Sequence, residues 1–416
     1  MKINASRLQQ HFEAMSEIGK IGETGTCRPT MTPLEKQGFE LAASWMKEAG
    51  MKTHIDNFGN LIGRLEGKNK ILPVLMMGSH LDSQPYGGRF DGVAGVLCAI
   101  EVVKTLTENN IAPERSIEVI SFADEEGWRF NKGLFGSRGI LGKLENGELE
   151  RTDKDGITRE KALRDFGCDP DKFSESEYKP ASIFCFLELH IEQGPILDNS
   201  HKPIGVVSGI SGPLWLTVKL KGMAGHAGSV PMAMRKDALV GAAEIIIALN
   251  EIANQVPGAP TVGTVGTLNV FPASRNIIPE EVTFTVDLRD IDLERRHKYE
   301  KQLMDKIKAI TQKHQLTYEI SEDTNLEPRY CADWIKKIIH NECKTLGLID
   351  TPELMSGPFH DAMALSYACD YGMIFVRCKD GISHNPLEYT SYEDLALGAE
   401  VLYGTVLEVL KKEKAV

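Results

Sequence analysis

The sequence predicts an α/β protein, with a central, mostly parallel sheet flanked by helices and a smaller α+β module inserted into it. Three observations predict this. Two uninterrupted apolar runs of strand length, ILPVLMMGS (71–79) and SIEVISFA (116–123), bracket DGVAGVLCAIEVVKTL (91–106), which has the period of a helix. Two more apolar runs, SIFCFLEL (182–189) and GMIFVRC (372–378), come much later. Between these the pattern changes to alternating apolar and polar residues, as in strands buried on one face only.

In order along the chain, the strand–helix–strand segment 71–123 implies a right-handed crossover between parallel strands. The polar stretch of about 142–180 reads as surface helix and loop leading into strand 182–189. LWLTVKLKG (214–222) alternates, a helix covers roughly 233–254, and TVGTVGTLNVF (261–271) and EVTFTVDLRD (281–290) alternate again. A helix from about 292 to 314 and a short strand, LTYEI (316–320), complete a strand–helix–strand–strand–helix–strand unit, the order of a ferredoxin-like module. The module is assigned to 212–327, and the enclosing α/β domain to 1–211 and 328–416. YEDLALGAEVLYGTVLEVLKK (392–412) closes the fold as an amphipathic helix.

Composition narrows the class of function. A formal charge of −12 argues against nucleic acid as a partner, because phosphate binding needs clustered Lys and Arg. No apolar run reaches the ~18 residues that span a bilayer. The opening MKINASRLQQHFEAM is polar, without the apolar centre of a signal peptide. The 8 cysteines form no C-x-x-C pair, and several, such as Cys98 and Cys185, sit in apolar runs, so no disulfide framework is read. A cytoplasmic protein with no membrane or nucleic-acid partner is expected.

The chemistry concentrates where apolar strands end. GSHLDSQPYGGRFDG (78–92) offers His80, Asp82 and Asp91. Imidazole and carboxylate suit a zinc-like metal, and Asp82 could accept the proton on the other nitrogen of His80. The plainer alternative is a polar loop with Asp91 as the N-cap of the next helix. ADEEGWRF (123–130) carries adjacent acids, Glu125 and Glu126, which repel unless something cationic compensates; one could bind a metal while the other acts as base. ELHIEQGPIL (188–197) brings His190 and Glu192, and DGISHNP (380–386) brings His384. Each cluster alone is weak. Four strands that each end in such a loop should open them on one sheet edge, and together they offer each of two metals three protein ligands with a position left for water.

These stretches resemble the signature of the M20 metallopeptidase superfamily, and within it the amidohydrolase branch of N-carbamoyl-L-amino acid hydrolases, β-ureidopropionases and allantoate amidohydrolases. The resemblance runs from about residue 5 to 412. It implies His80, Asp91, Glu126, His190 and His384 as ligands of two divalent ions (Zn, or Mn, Co or Ni), with Asp91 bridging, Glu125 as catalytic base and Asp82 orienting His80. A histidine at 190, where peptidases of the superfamily generally have a carboxylate, favours the ureido-cleaving branch. In the inserted module, which the resemblance makes a dimerisation and lid domain, it implies that His226 (GMAGHAGSVPM) reaches across a homodimer to stabilise the oxyanion. Asn276 (ASRNIIP) and Arg289 (DLRD) would bind the substrate carboxylate. For Arg289 the sequence leaves open an ordinary ion pair with Asp287 or Asp290. Gln193, and the SGPFHDAM segment with Gly357 and His360, would contribute further substrate contacts. The implied reaction is hydrolysis of the ureido C–N bond of N-carbamoyl-L-amino acids to the amino acid, CO2 and ammonia. Allantoate or N-carbamoyl-β-alanine are the nearest alternatives, and an aminoacylase, a dipeptidase or a metal-free binding protein of the same fold more distant ones. The module is expected to close on substrate, bringing His226 and Arg289 to the metals.

Overall fold

The structure, a computed structural model, describes residues 3–412. It divides into two compact units, one formed by 1–208 with 331–416 and the other by 209–330.

The first unit is built on a twisted sheet. Its main strands are β1 (Lys52–Ile55), β2 (Leu61–Leu65), β3 (Val74–His80), β4 (Ile117–Phe122), β5 (Ile183–Ile191), β6 (Ile204–Ile210) and β7 (Asp370–Val376), in the spatial order β6–β7–β5–β3–β4–β2–β1, and the short strands Arg329–Tyr330 and Glu353–Ser356 pair with β6. The four strands read from apolar runs, β7, β5, β3 and β4, are neighbours and mutually parallel. The flanking strands β6, β2 and β1 pair antiparallel. Every residue of β3, β4 and β5 is buried, which is why they read as continuous apolar runs rather than alternating ones. Helices Val93–Glu108 and Tyr392–Leu410 pack on the central strands and on each other.

Boundaries shift where polar or exposed residues fringe the runs. Ile71 is exposed and lies outside β3, while β5 extends through His190 to Ile191 because those residues are buried in the sheet. The polar stretch 142–180 is not all surface: Glu148 and Arg159 within it are buried.

Parallel pairing sets the ends of the central strands level. His80 lies opposite Phe122 across β3 and β4, and Ile191 opposite Val376 across β5 and β7. The loops after all four strands therefore leave from the carboxyl edge of one sheet, where ligands bind in such folds.

The second unit has strands Gly212–Lys221, Val262–Thr264, Leu268–Phe271, Glu281–Asp290 and Thr317–Asn325, with helices Ala238–Ala253 and Leu293–Lys313. Glu281–Asp290 alternates strictly between buried and half-buried residues, and Val282, Phe284, Val286 and Leu288 share one core with Leu214, Leu216, Val218 and Leu220 and with both helices. The expected single strand 261–271 is two. Thr264 pairs with Asp287 and Leu268 with Phe284, so three residues oppose two, and this bulge interrupts the ladder. The last strand runs five residues past the expected 320, because its polar, exposed continuation still pairs at the sheet edge.

Candidate metal centre

His80 is the last residue of β3 and His190 the penultimate residue of β5; both are buried. Asp91 lies at the end of the loop after β3. It does not cap the following helix. That place is taken by Gly92, at φ +66 with no side-chain cap, and a Cβ there would lie 2.4 Å from the His80 ring. Glycine thus lets the turn press against His80 and leaves the Asp91 carboxylate free to face the histidines.

Two donor groups share that carboxylate: His80–Asp91–His190 and Asp91–Glu126–His384. Asp91 Oδ1 lies 3.2 Å from His190 Nε2 and 3.7 Å from His80 Nε2. Its Oδ2 lies 3.2 Å from His384 Nε2, which is 3.6 Å from Glu126 Oε2. Glu125 Oε2 stands 3.6 Å from His80 Nε2, and the side chains of both glutamates are more than nine-tenths buried.

The donor set fits divalent ions. The Nδ1 atoms of His80 and His190 lie 2.9 Å from the carbonyl oxygens of Asp82 and Ile191. Donation there fixes the tautomer and leaves each Nε2 with a lone pair. Those lone pairs face carboxylate oxygens, acceptor against acceptor, an opposition that a cation or an added proton relieves; the Gly92 amide also reaches His190 Nε2, at 3.3 Å. In a tetrahedral site with metal–nitrogen bonds near 2.0–2.1 Å, neighbouring ligand atoms lie about 3.3 Å apart, within the 3.2–3.7 Å found here.

Without a cation, protons do the work. Burial alone would lower His190, but its hydrogen bond to Asp91 prevails and holds it at about 9. His384 is raised to about 9, chiefly by its own bond to Asp91. Asp91 stays well below the usual carboxylate range, because these two histidines outweigh its burial. Burial lowers His80 to about 4, lifts Glu126 to about 8 and pushes Glu125 well up, with Asp361, Glu126 and Asp82 adding repulsion on Glu125.

Asp82 serves His80 differently from the expectation. The imidazole meets its backbone oxygen, while its carboxylate is 3.6 Å away and instead accepts from the amides of Glu125 and Glu126, each at 3.3 Å. The loop after β3 is thereby pinned to the loop after β4. Gln193 reaches the cluster, with Nε2 at 3.0 Å from Asp91 Oδ2. His360, expected as a substrate contact, is buried behind the cluster: Nε2 meets the Ser356 hydroxyl at 2.7 Å and the ring stands edge-on to His190 at 4.4 Å between centroids. Gly357, half-buried just after strand Glu353–Ser356, has open space where a side chain would stand.

In the second unit, His226 and Asn276 are exposed neighbours. Ala227 N donates to Asn276 O at 2.9 Å, and His226 bridges Ile277, continuing the ladder of Gly212–Lys221 and Glu281–Asp290 beyond its Glu281 end. Arg289 lies near the opposite end. It pairs bidentately with Asp287 and stands 5.7 Å from the Trp215 ring, so the ordinary ion pair left open by the sequence is formed. Arg289 lies eight positions beyond Glu281 along the strand; at ~3.3 Å per residue these ends are ~26 Å apart.

Several supporting residues escaped the sequence reading. Gln84 donates to both Glu126 oxygens, at 2.7 Å from Nε2 and 3.2 Å from its amide. Arg159, wholly buried, bonds Glu148 and meets Asp124 Oδ2 at 2.8 Å. Asp124 opens the turn that carries both glutamates, at φ +54. Glu388, in the loop that carries His384, is buried and accepts from the amides of Phe90 and Asp91. For Glu388 the sequence offers one signal, a charged residue beside apolar and aromatic neighbours in NPLEYT; the polar surroundings of Gln84 and Arg159 offer none.

Comparison with known proteins shows the family and the fold. The profile of Peptidase family M20/M25/M40 matches residues 76–408. An N-carbamoyl-L-amino-acid amidohydrolase of Pseudomonas sp. (strain NS671) is 46% identical, over 98% of this chain and 98% of its own. The allantoate deiminase of Arabidopsis thaliana is 36% identical, over 93% of this chain and 80% of its own. The crystal structure of an amidase of the hydantoinase/carbamoylase family from Burkholderia multivorans superposes with a TM-score of 0.90 at 34% identity, covering 99% of each chain. Among the described residues no helix is long and apolar enough to cross a membrane.

Proposed function

The chain belongs to Peptidase family M20/M25/M40, in its amidohydrolase branch, as a hydrolase of non-peptide C–N bonds, and from that premise we propose that it cleaves N-carbamoyl-L-amino acids with the help of two divalent ions. The observation that carries the metal reading is the pair of donor groups sharing Asp91, in which the imidazole nitrogens of His190 and His384 each stand 3.2 Å from one of its two carboxylate oxygens. Divalent ions bound there would polarise the ureido carbonyl and make a water nucleophilic near neutral pH.

The chain's own residues supply the rest. Glu125 is buried beside His80, and burial together with its acidic neighbours makes its carboxylate a stronger base than usual. It takes the proton of the attacking water and returns it to the departing nitrogen, as a base and then an acid. The balance is one ureido group and one water giving an amine, CO2 and ammonia. Gln193, with its amide at the rim of the cluster, is placed to hold the ureido or carboxylate end. A guanidinium fork suits the substrate carboxylate, and Arg289 would exchange Asp287 for it.

His226 with Asn276 and Arg289 cannot all reach one cluster from one copy of the module. Their ~26 Å separation along one strand exceeds the few ångströms of the donor set. The two ends are therefore assigned to different copies of a homodimer, one supplying Arg289 and the other His226 and Asn276, with closure of the module on substrate kept as part of the same reading. A cytoplasmic location is kept as part of the same reading, with the substrate a small soluble carboxylate.

The test is a side-by-side assay of N-carbamoyl-L-amino acids, N-carbamoyl-β-alanine and allantoate, on protein stripped by chelator and on protein resupplied with Zn, Mn, Co or Ni. Preferred, metal-restored turnover of the first class supports the reading. Preference for allantoate moves the chain to that alternative, and activity untouched by stripping removes the metals from the mechanism.

A further inference from the structure

Glu388 lies four residues past His384 in the loop that follows β7, and its side chain is buried. Its Oε1 accepts from the amides of Phe90 at 2.9 Å and Asp91 at 3.0 Å. Its Oε2 accepts from the Ser383 hydroxyl at 2.8 Å. Ser383 in turn accepts from Gln193 Nε2 at 3.1 Å. The loop after β3 lies directly on this carboxylate: a Cβ on Gly88 would stand 2.2 Å from it, so no side chain is tolerated at that position. Nearly three hundred residues separate the segments joined in this way.

We propose that Glu388 is a positioning residue that clamps the Asp91 loop to the His384 loop and thereby sets how tightly the Asp91–Glu126–His384 group holds its divalent ion. This rests on the metal-dependent reading above and extends it. Glu388 belongs to neither donor group, so it acts through its neighbours. Its three donors fix the backbone at Asp91 and the residue before His384. The spacing of Asp91 Oδ2 and His384 Nε2, 3.2 Å, is then set by one buried carboxylate rather than by two independent loops. The His80–Asp91–His190 group depends less on it, because both its histidines are fixed within strands and by their own backbone contacts. Partners of this kind typically change metal affinity by about 10–100-fold when removed.

The experiment uses the full chain, stripped of metal and titrated with Co2+ against a competing chelator, with amide exchange followed on the same stripped protein. Wild type, Glu388→Ala and Glu388→Gln are compared. For Glu388→Ala, one of the two equivalents should lose about 10–100-fold in affinity while the other changes little, and the Phe90 and Asp91 amides should exchange faster. Glutamine keeps an oxygen for both amides, so it should restore their protection and part of the affinity. Two equivalents bound as in wild type with unchanged exchange would overturn the proposal. So would equal loss at both equivalents, which marks a residue that only supports the fold. If Glu388→Ala does not fold, Glu388→Gln decides alone: a loss confined to one equivalent supports the clamp, and none overturns it. Failure of the wild type to bind any divalent ion sinks the metal reading and the affinity claim with it. The exchange of Phe90 and Asp91 then still reports whether the clamp exists.

Discussion

Metal binding should be strongly and unequally pH-dependent at the two donor groups. In the metal-free protein His190 and His384 each hold a proton drawn by Asp91, both at about 9, and burial holds one on Glu126 at about 8. His80, lowered to about 4, is already neutral at pH 7. An incoming cation needs bare nitrogens and oxygens, so it must displace these protons. The His80–Asp91–His190 group gives up one, from His190. The Asp91–Glu126–His384 group gives up as many as two. The sign follows: affinity rises with pH up to these values and falls in acid. Each displaced proton is worth about tenfold per pH unit, so from pH 6 to 8 the first group should gain ~100-fold and the second up to ~10,000-fold. The second figure is an upper one, because the His384 side chain is 49% exposed and solvent screens its pairing. Chelator competition at pH 6, 7 and 8 measures both slopes, and calorimetry in two buffers of different ionisation enthalpy counts the protons released. Two affinities flat across that range, or binding without proton release, would refute the reasoning.

Other outcomes follow from single contacts. Glu125→Gln should keep both metals and lose about 10²–10⁴-fold in turnover; metal analysis beside steady-state kinetics checks this, and near-normal turnover removes Glu125 from the base role. Arg159→Leu leaves Asp124 and Glu148 buried without their shared guanidinium and should cost about 3–5 kcal/mol in urea unfolding at pH 7; a change below about 1 kcal/mol would show that water replaces it. Copies carrying His226→Ala and copies carrying Arg289→Ala, each inactive alone, should recover about a quarter of wild-type activity when unfolded and refolded together, since half the dimers are mixed and each mixed dimer rebuilds one complete site. No recovery would place both residues in a site built by one chain.

What the sequence made legible tracks how local the physics is. β3, β4, β5 and β7 are buried on both faces, so their composition alone announced them, and their carboxyl ends and the loops that follow held His80, Asp91, Glu125, Glu126, His190 and His384. β1 and β2 escaped because they are short, fringe strands whose pairing is a matter of sheet order rather than of pattern. The polar end of Thr317–Asn325 escaped for a related reason: at an exposed edge, backbone pairing makes a strand that side chains do not mark.

The residues that hold the donors were hidden for a different reason. Gln84, Arg159 and Glu388 are each defined by a partner distant along the chain, and nothing beside them in sequence says which group they will meet. Asp82 shows the limit from the other side. Its spacing from His80 suggested a carboxylate–imidazole contact, yet the turn brings the backbone oxygen to the ring and sends the carboxylate to the Glu125 and Glu126 amides. Two residues of separation fix proximity but not which atom arrives. Asp91 was ambiguous in the same sense, and the residue after it decides the matter: Gly92 at φ +66 takes the helix-capping place and admits the His80 ring where any side chain would collide. Aspartate becomes a shared ligand here because its neighbour has no Cβ, so substituting Gly92 should damage the cluster as surely as substituting Asp91.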